Sequence, residues 1–132
     1  MNKEKLIDYW LSSSESDFNT MMNLYNSKDY HWSLFIGHLV IEKLLKAIYI
    51  KNTGSDNPPR SHDLLLLAEK ADITTDDTQK DSLDLITTFN ISARYPDYKK
   101  SFYQKCTESY TTEKIDKIKE LRVWLTSILT SK

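Results

Sequence analysis

The twelve residues from Arg94 to Lys105, RYPDYKKSFYQK, set four cations (Arg94, Lys99, Lys100, Lys105) against the single acid Asp97. This segment carries +3 in a chain whose formal net charge is -1, so the remainder carries -4. A basic segment on an acidic body is a local target for an anion, and the near-neutral whole has no bias toward nucleic acid or membrane. Tyr95, Tyr98, Phe102 and Tyr103 alternate with the cations. Aromatic faces stack on bases, and a guanidinium grips phosphate through a bidentate fork. Arg94, Tyr95, Lys99 and Lys100 are therefore the first candidates for ligand binding. The structural alternative is a loop clamped to its scaffold by aromatics, with solvated lysines.

Arg60-Ser61-His62-Asp63 is the second candidate. Amides at a helix start bind phosphate, and Arg60 and His62 would supplement them; the alternative is a capped helix start. His38, Glu42 and Lys46 follow at steps of four and form one polar stripe on an otherwise apolar helix. His38 and Glu42 at that spacing can share a metal, but two ligands are an incomplete site, so no metal and no cofactor is expected. Such a stripe suits a dimer interface or the floor of a cleft. Asp17 falls within the apolar face of the first helix, where a carboxylate needs a partner. It is either a bundle-locking ion pair or a site carboxylate. Cys106 has no local activating partner beyond Lys105. There is no glycine-rich phosphate loop, paired-cysteine zinc pattern or serine hydrolase elbow.

These residues need helices to position them. Glycine occurs only at Gly37 and Gly54, and proline only at Pro58, Pro59 and Pro96. So few breakers argue for long helices and few loops. The first helix is predicted over about Lys3 to Asn26, with Leu6, Trp10, Met21 and Leu24 on one face. After the polar turn at Asn26 to Asp29, the second runs from His31 to about Asn52, folded back on the first. Gly54 and the two prolines end it. Being apolar around most of its circumference, this helix is central to a bundle or shared with a second subunit. Ser61 is read as the cap of a short third helix from His62 to about Lys70. Asp76 and Gln79 resemble a capping box that opens a fourth, reaching about Ser92. Residues 93–110 are expected to be the least regular part, with a break at Tyr95-Pro96 and at most a helical turn over Ser101 to Cys106. Thr111 or Thr112 is read as the cap of the last helix.

The 132 residues fit one domain able to bury one core. No apolar run approaches the ~20 residues of a membrane span. The N-terminus lacks a signal peptide's apolar segment, and the lone cysteine suits a reducing cytoplasm. The fold class is all-α: an up-and-down bundle of about five helices over residues 1–132.

Several features together resemble the HEPN family of small helical domains. They are an early helix carrying Asp17, then VIEKLLKAIY at Val40 to Tyr49, a proline-containing loop, SHDL at Ser61 to Leu64, and ARYPDY at Ala93 to Tyr98. The resemblance spans nearly the whole chain. It implies a bundle that dimerises. It also implies a nucleotidyltransferase encoded alongside and a toxin–antitoxin or other defence setting. The active branch of that family cleaves RNA without metal, through an arginine followed four to six residues later by histidine. This chain departs from that pattern, because none of Arg60, Arg94 and Arg122 has a histidine at that spacing. The resemblance is to the branch carrying Arg-Tyr-Pro. It implies a non-catalytic module that binds nucleotide or RNA as a homodimer. The alternatives are a divergent ribonuclease, with Arg94 and His62 or His38 meeting in space, and a pure protein-interaction module.

Overall fold

The computed structural model describes residues 2–131. Among these the chain forms α1 (Lys3–Asn26), α2 (Tyr30–Thr53), α3 (Leu64–Lys70), α4 (Asp77–Arg94), α5 (Pro96–Lys105) and α6 (Glu108–Thr130). The four long helices make the bundle, and α3 and α5 are short packing pieces between them.

Pairings across the helices give the directions. On α1 and α2, Ser14 Oγ donates to the Val40 carbonyl and Ser33 Oγ to that of Met21, both at 2.8 Å. Early α1 thus meets late α2, and the two are antiparallel. On α2 and α6, Gly37 faces Ile118 and Lys51 Nζ donates to the Ile128 carbonyl at 2.7 Å. Both numbers rise together, so this pair is parallel. Thr78, Gln79 and Ser82 of α4 share a crevice with Lys117 to Trp124 of α6, whereas Leu85 to Ser92 meet Tyr110. α4 therefore opposes α6, and α1, α2, α4 and α6 run up, down, up, down.

α2 occupies the centre and packs against all five other helices. Leu34, Val40, Ile41, Leu44, Leu45, Ile48 and Ile50 point in several directions around it, and all are buried. Each such side chain contributes about 1.5–3 kcal/mol of burial. Gly37 permits the close approach of α6: a Cβ there would lie 2.5 Å from Ile118 Cδ1 and 3.1 Å from Met21 Sδ. Gly54 ends α2 in the left-handed region at φ 74°, where glycine carries no Cβ penalty.

Four boundaries differ from the sequence reading. α3 begins at Leu64 and its cap is Asp63, whose carboxylate accepts from the Leu66 amide; Ser61 instead braces Asp63 N–H at 3.0 Å. α6 is capped by Thr107 and starts at Glu108, a turn before Thr111. Residues 93–110 are largely helical, which raises the count to six. Pro96 does break the chain, because Tyr95 is extended (φ -89°, ψ 132°). But proline at the first helical position also starts α5. Phe102 anchors α5, its ring centroid 5.6 Å from that of Phe89 on α4. The box of Asp76 and Gln79 is present as expected, and α4 runs two residues further than expected, to Arg94.

Candidate anion-binding site

The polar stripe on α2 lies under the loop that leads into α3. Glu42 is only 4% exposed, yet its carboxylate is fully engaged. Oε1 accepts from His62 Nδ1 at 2.6 Å, and Oε2 faces Lys46 Nζ at 3.3 Å. Lys46 in turn stands over the Trp10 ring, 5.3 Å from its centroid. His38 Nε2 lies 2.9 Å from the His62 carbonyl, which can only accept. So His38 carries its proton on Nε2, and its buried Nδ1 has no partner. Burial pushes His38 below its ordinary pKa and the Arg94 charge pushes the same way, against the hydrogen bond to the His62 carbonyl and the pull of Glu42. His38 is thus a neutral buried donor, and Glu42 holds the segment at His62.

His62 differs from His38. Its side chain is 57% exposed while its Nδ1 is fixed on Glu42. Held this way, the ring presents Nε2 outward, in the carboxylate–imidazole arrangement that fixes ring orientation. The next amides are also tied down: Leu64 N–H donates to Thr87 Oγ1 on α4 at 3.0 Å.

Thr87, Asn90 and Arg94 fall on one face of α4 at steps of three and four. This face brings Arg94 to the same end of the bundle as His38 and His62. Arg94 is exposed, and its guanidinium is aimed by its own helix: Nε donates to the Asn90 carbonyl at 3.1 Å and Nη2 to Asn90 Oδ1 at 2.6 Å. The Tyr95 ring lies 5.4 Å beneath it and is half-exposed. Lys99 and Lys100 are exposed on α5, with Lys99 Nζ 5.0 Å over the Trp32 ring of α2. Arg60 is exposed two residues before His62. The six candidate ligand residues therefore occupy the C-terminal end of α4, α5 and the loop before α3.

Asp17 is outside this group. Its Oδ2 lies 2.7 Å from Lys43 Nζ, which also donates to Ser13 Oγ at 2.7 Å. That is the ion-pair lock between α1 and α2. Cys106 is buried, and burial pushes its thiol up to about 11, the opposite of an activated nucleophile. Sequence reasoning missed one contributor and one pairing. Asn90, buried at 4% exposure, aims Arg94; its one available signal was a position four residues before an exposed arginine. Glu42 belongs with His62, twenty residues away, and only the fold joins them.

Among the described residues, no group of three or more His, Cys, Asp or Glu is placed to hold a metal ion, and no helix is long and apolar enough to cross a membrane. The site combines cations, exposed aromatic rings and an oriented imidazole. That set suits a phosphate carrying a flat ring.

Comparison with known proteins agrees on architecture. The chain is similar to a solved protein titled TT1696, from Thermus thermophilus, with a TM-score of 0.80 at 18% identity, over 97% of this chain and 99% of that one. No curated protein matches. The model of the HEPN domain matches residues 7–128. The chain belongs to the HEPN domain family.

Proposed function

We propose that this chain is a non-catalytic nucleotide- or RNA-binding module whose ligand phosphate is held by Arg94. The observation that carries this reading is the posture of Arg94, exposed and braced twice by Asn90. A guanidinium oriented before binding loses little freedom on meeting a phosphate. Tyr95 offers a stacking face. Lys99 and Lys100 add charge, and Arg60 and His62 close the group from the loop side. Family membership supports a partnership with a nucleotidyltransferase in a toxin–antitoxin or defence system, a homodimeric state and action in the cytoplasm.

The test is a binding titration of the full chain with mononucleotides and short RNA at two salt concentrations. Saturable binding that weakens with salt is expected. Arg94→Ala, on an exposed position, lowers the affinity about tenfold, the scale of a lost bidentate charge-assisted contact. Absence of saturable binding, or an Arg94→Ala protein that binds as well, ends the proposal.

A second reading is favoured by the Glu42–His62 pair. A carboxylate-oriented imidazole beside an arginine is equipped for general acid–base work on a phosphodiester. This divergent ribonuclease would cleave unstructured RNA, and His62→Ala would abolish the cleavage. Intact RNA after incubation with the pure protein removes this reading. A pure interaction module would use the α6 surface near Trp124, where Val123 is exposed beside Arg122, Thr126, Ser127 and Thr130.

A further inference from the structure

Tyr95, the cap of α5, is followed at steps of four by Lys99 and Tyr103, which both meet α2. Lys99 covers Trp32, and the Tyr103 ring meets His31 edge-on at 5.1 Å. His31 in turn lies 4.9 Å from Trp32. Tyr103 remains 64% exposed, so much of its ring is open to a ligand. Beyond it the seam opens into a cavity of about 210 Å³, lined by Tyr30, His31, Tyr103, Gln104, Cys106 and Thr107. None of these residues belongs to the Arg94 site.

The cavity has a different character from the Arg94 site. Three of its six lining residues, Tyr30, His31 and Tyr103, are aromatic. His31 lies below its ordinary pKa, through burial first and the Lys99 charge second, with Asp29 opposing. The Cys106 thiol at the back stays protonated. No carboxylate or lysine lines it. Gln104 offers both a donor and an acceptor, and Thr107 a hydroxyl. Flat uncharged walls with a mixed polar edge match a nucleobase, whose faces stack and whose rim both donates and accepts. The volume is below the ~300 Å³ at which pockets begin to hold drug-sized ligands. It suits one base without its sugar and phosphate.

Distance then sets the length of the ligand. Tyr95, beneath Arg94, and Tyr103, on the cavity wall, are eight residues apart along α5, roughly 12 Å of helix rise. That is about three to four steps of a stacked strand at ~3.4 Å each. A phosphate on Arg94 and a base in the cavity therefore belong to different nucleotides of one chain, with Lys99 between them. We propose that the α2–α5 seam binds a single-stranded oligonucleotide, gripping a phosphate at Arg94 and seating a base further along between His31, Tyr103 and Gln104. This rests on the Arg94 reading and adds to it the length and strandedness of the ligand.

The test is calorimetric titration of the full chain with adenosine monophosphate, single-stranded hexaadenylate RNA and a duplex of equal length. Hexaadenylate is expected to bind at least tenfold tighter than the mononucleotide and than the duplex. Tyr103→Ala and His31→Ala each remove most of that gain, about five- to a hundredfold for one lost stacking contact. They leave the mononucleotide affinity unchanged. The exposure of Tyr103 makes its truncation harmless to folding. Equal affinity for mononucleotide and hexaadenylate overturns this inference alone, as does a hexaadenylate affinity that neither variant lowers. If neither ligand binds, the Arg94 reading falls, and this one with it.

Discussion

The two histidines beside Glu42 have opposite assignments. His38 is buried and neutral, with its proton on Nε2; His62 is exposed, with a proton on Nδ1 and Nε2 facing out. Because burial lowers His38 from its ordinary 6.5, the unfolded chain binds more protons than the folded one just below that pH. The stability contributed by the neutral ring is fully present above about pH 6.5 and is lost as the pH falls through the folded value. Denaturant unfolding at pH 7.5 and 5.5 checks this. His38→Gln keeps a donor for the His62 carbonyl but does not titrate, so the variant loses less stability than the parent between the two pH values. Equal losses would contradict the assignment. The residue types here were readable from spacing, since His38, Glu42 and Lys46 share a helix face. Their partner was not: a polar stripe on a helix does not say which loop will cover it, and His62 meets Glu42 from twenty residues away.

At the scale of elements, the long helices were legible because their boundaries are set by local chemistry. The Asp76–Gln79 box, Gly54 and the two prolines act within a few residues of themselves. α5 was less legible because its sequence is mostly polar and only Phe102 is buried. Its helicity depends on docking against Phe89 and on Pro96, which reads as a breaker from one side and a starter from the other. Thr107 outcompeted Thr111 and Thr112 as a cap because Thr111 is needed inside, where it is fully buried. The α2–α6 contact depends on the missing side chain at Gly37. Gly37→Ala gains about 0.5–1 kcal/mol in helix propensity but overpacks against Ile118 at a cost of about 1–3 kcal/mol. A net loss of roughly 1 kcal/mol is expected in denaturant unfolding. Ile118→Val removes the Cδ1 that a Cβ would strike. The double variant should therefore be more stable than the sum of the two single effects predicts. Strict additivity would mean that the two positions do not meet.

For the molecule as a whole, a net charge of -1 conceals a +3 segment at one end of the bundle. Composition alone gives no reason to expect an anionic ligand. Placing Arg94, Tyr95, Lys99 and Lys100 at the α4–α5 junction, with Arg60 and His62 in the loop before α3, gives one. The most direct measurement is a backbone amide chemical-shift titration of the full chain with a short single-stranded RNA. Saturable shifts are predicted at Arg60 to His62, at the C-terminal turn of α4 and along α5, and in Arg94→Ala the same shifts should need about tenfold more RNA to saturate. Shifts confined to the outer face of α6 around Val123, or no shifts at all, would contradict an anion site at the α4–α5 junction.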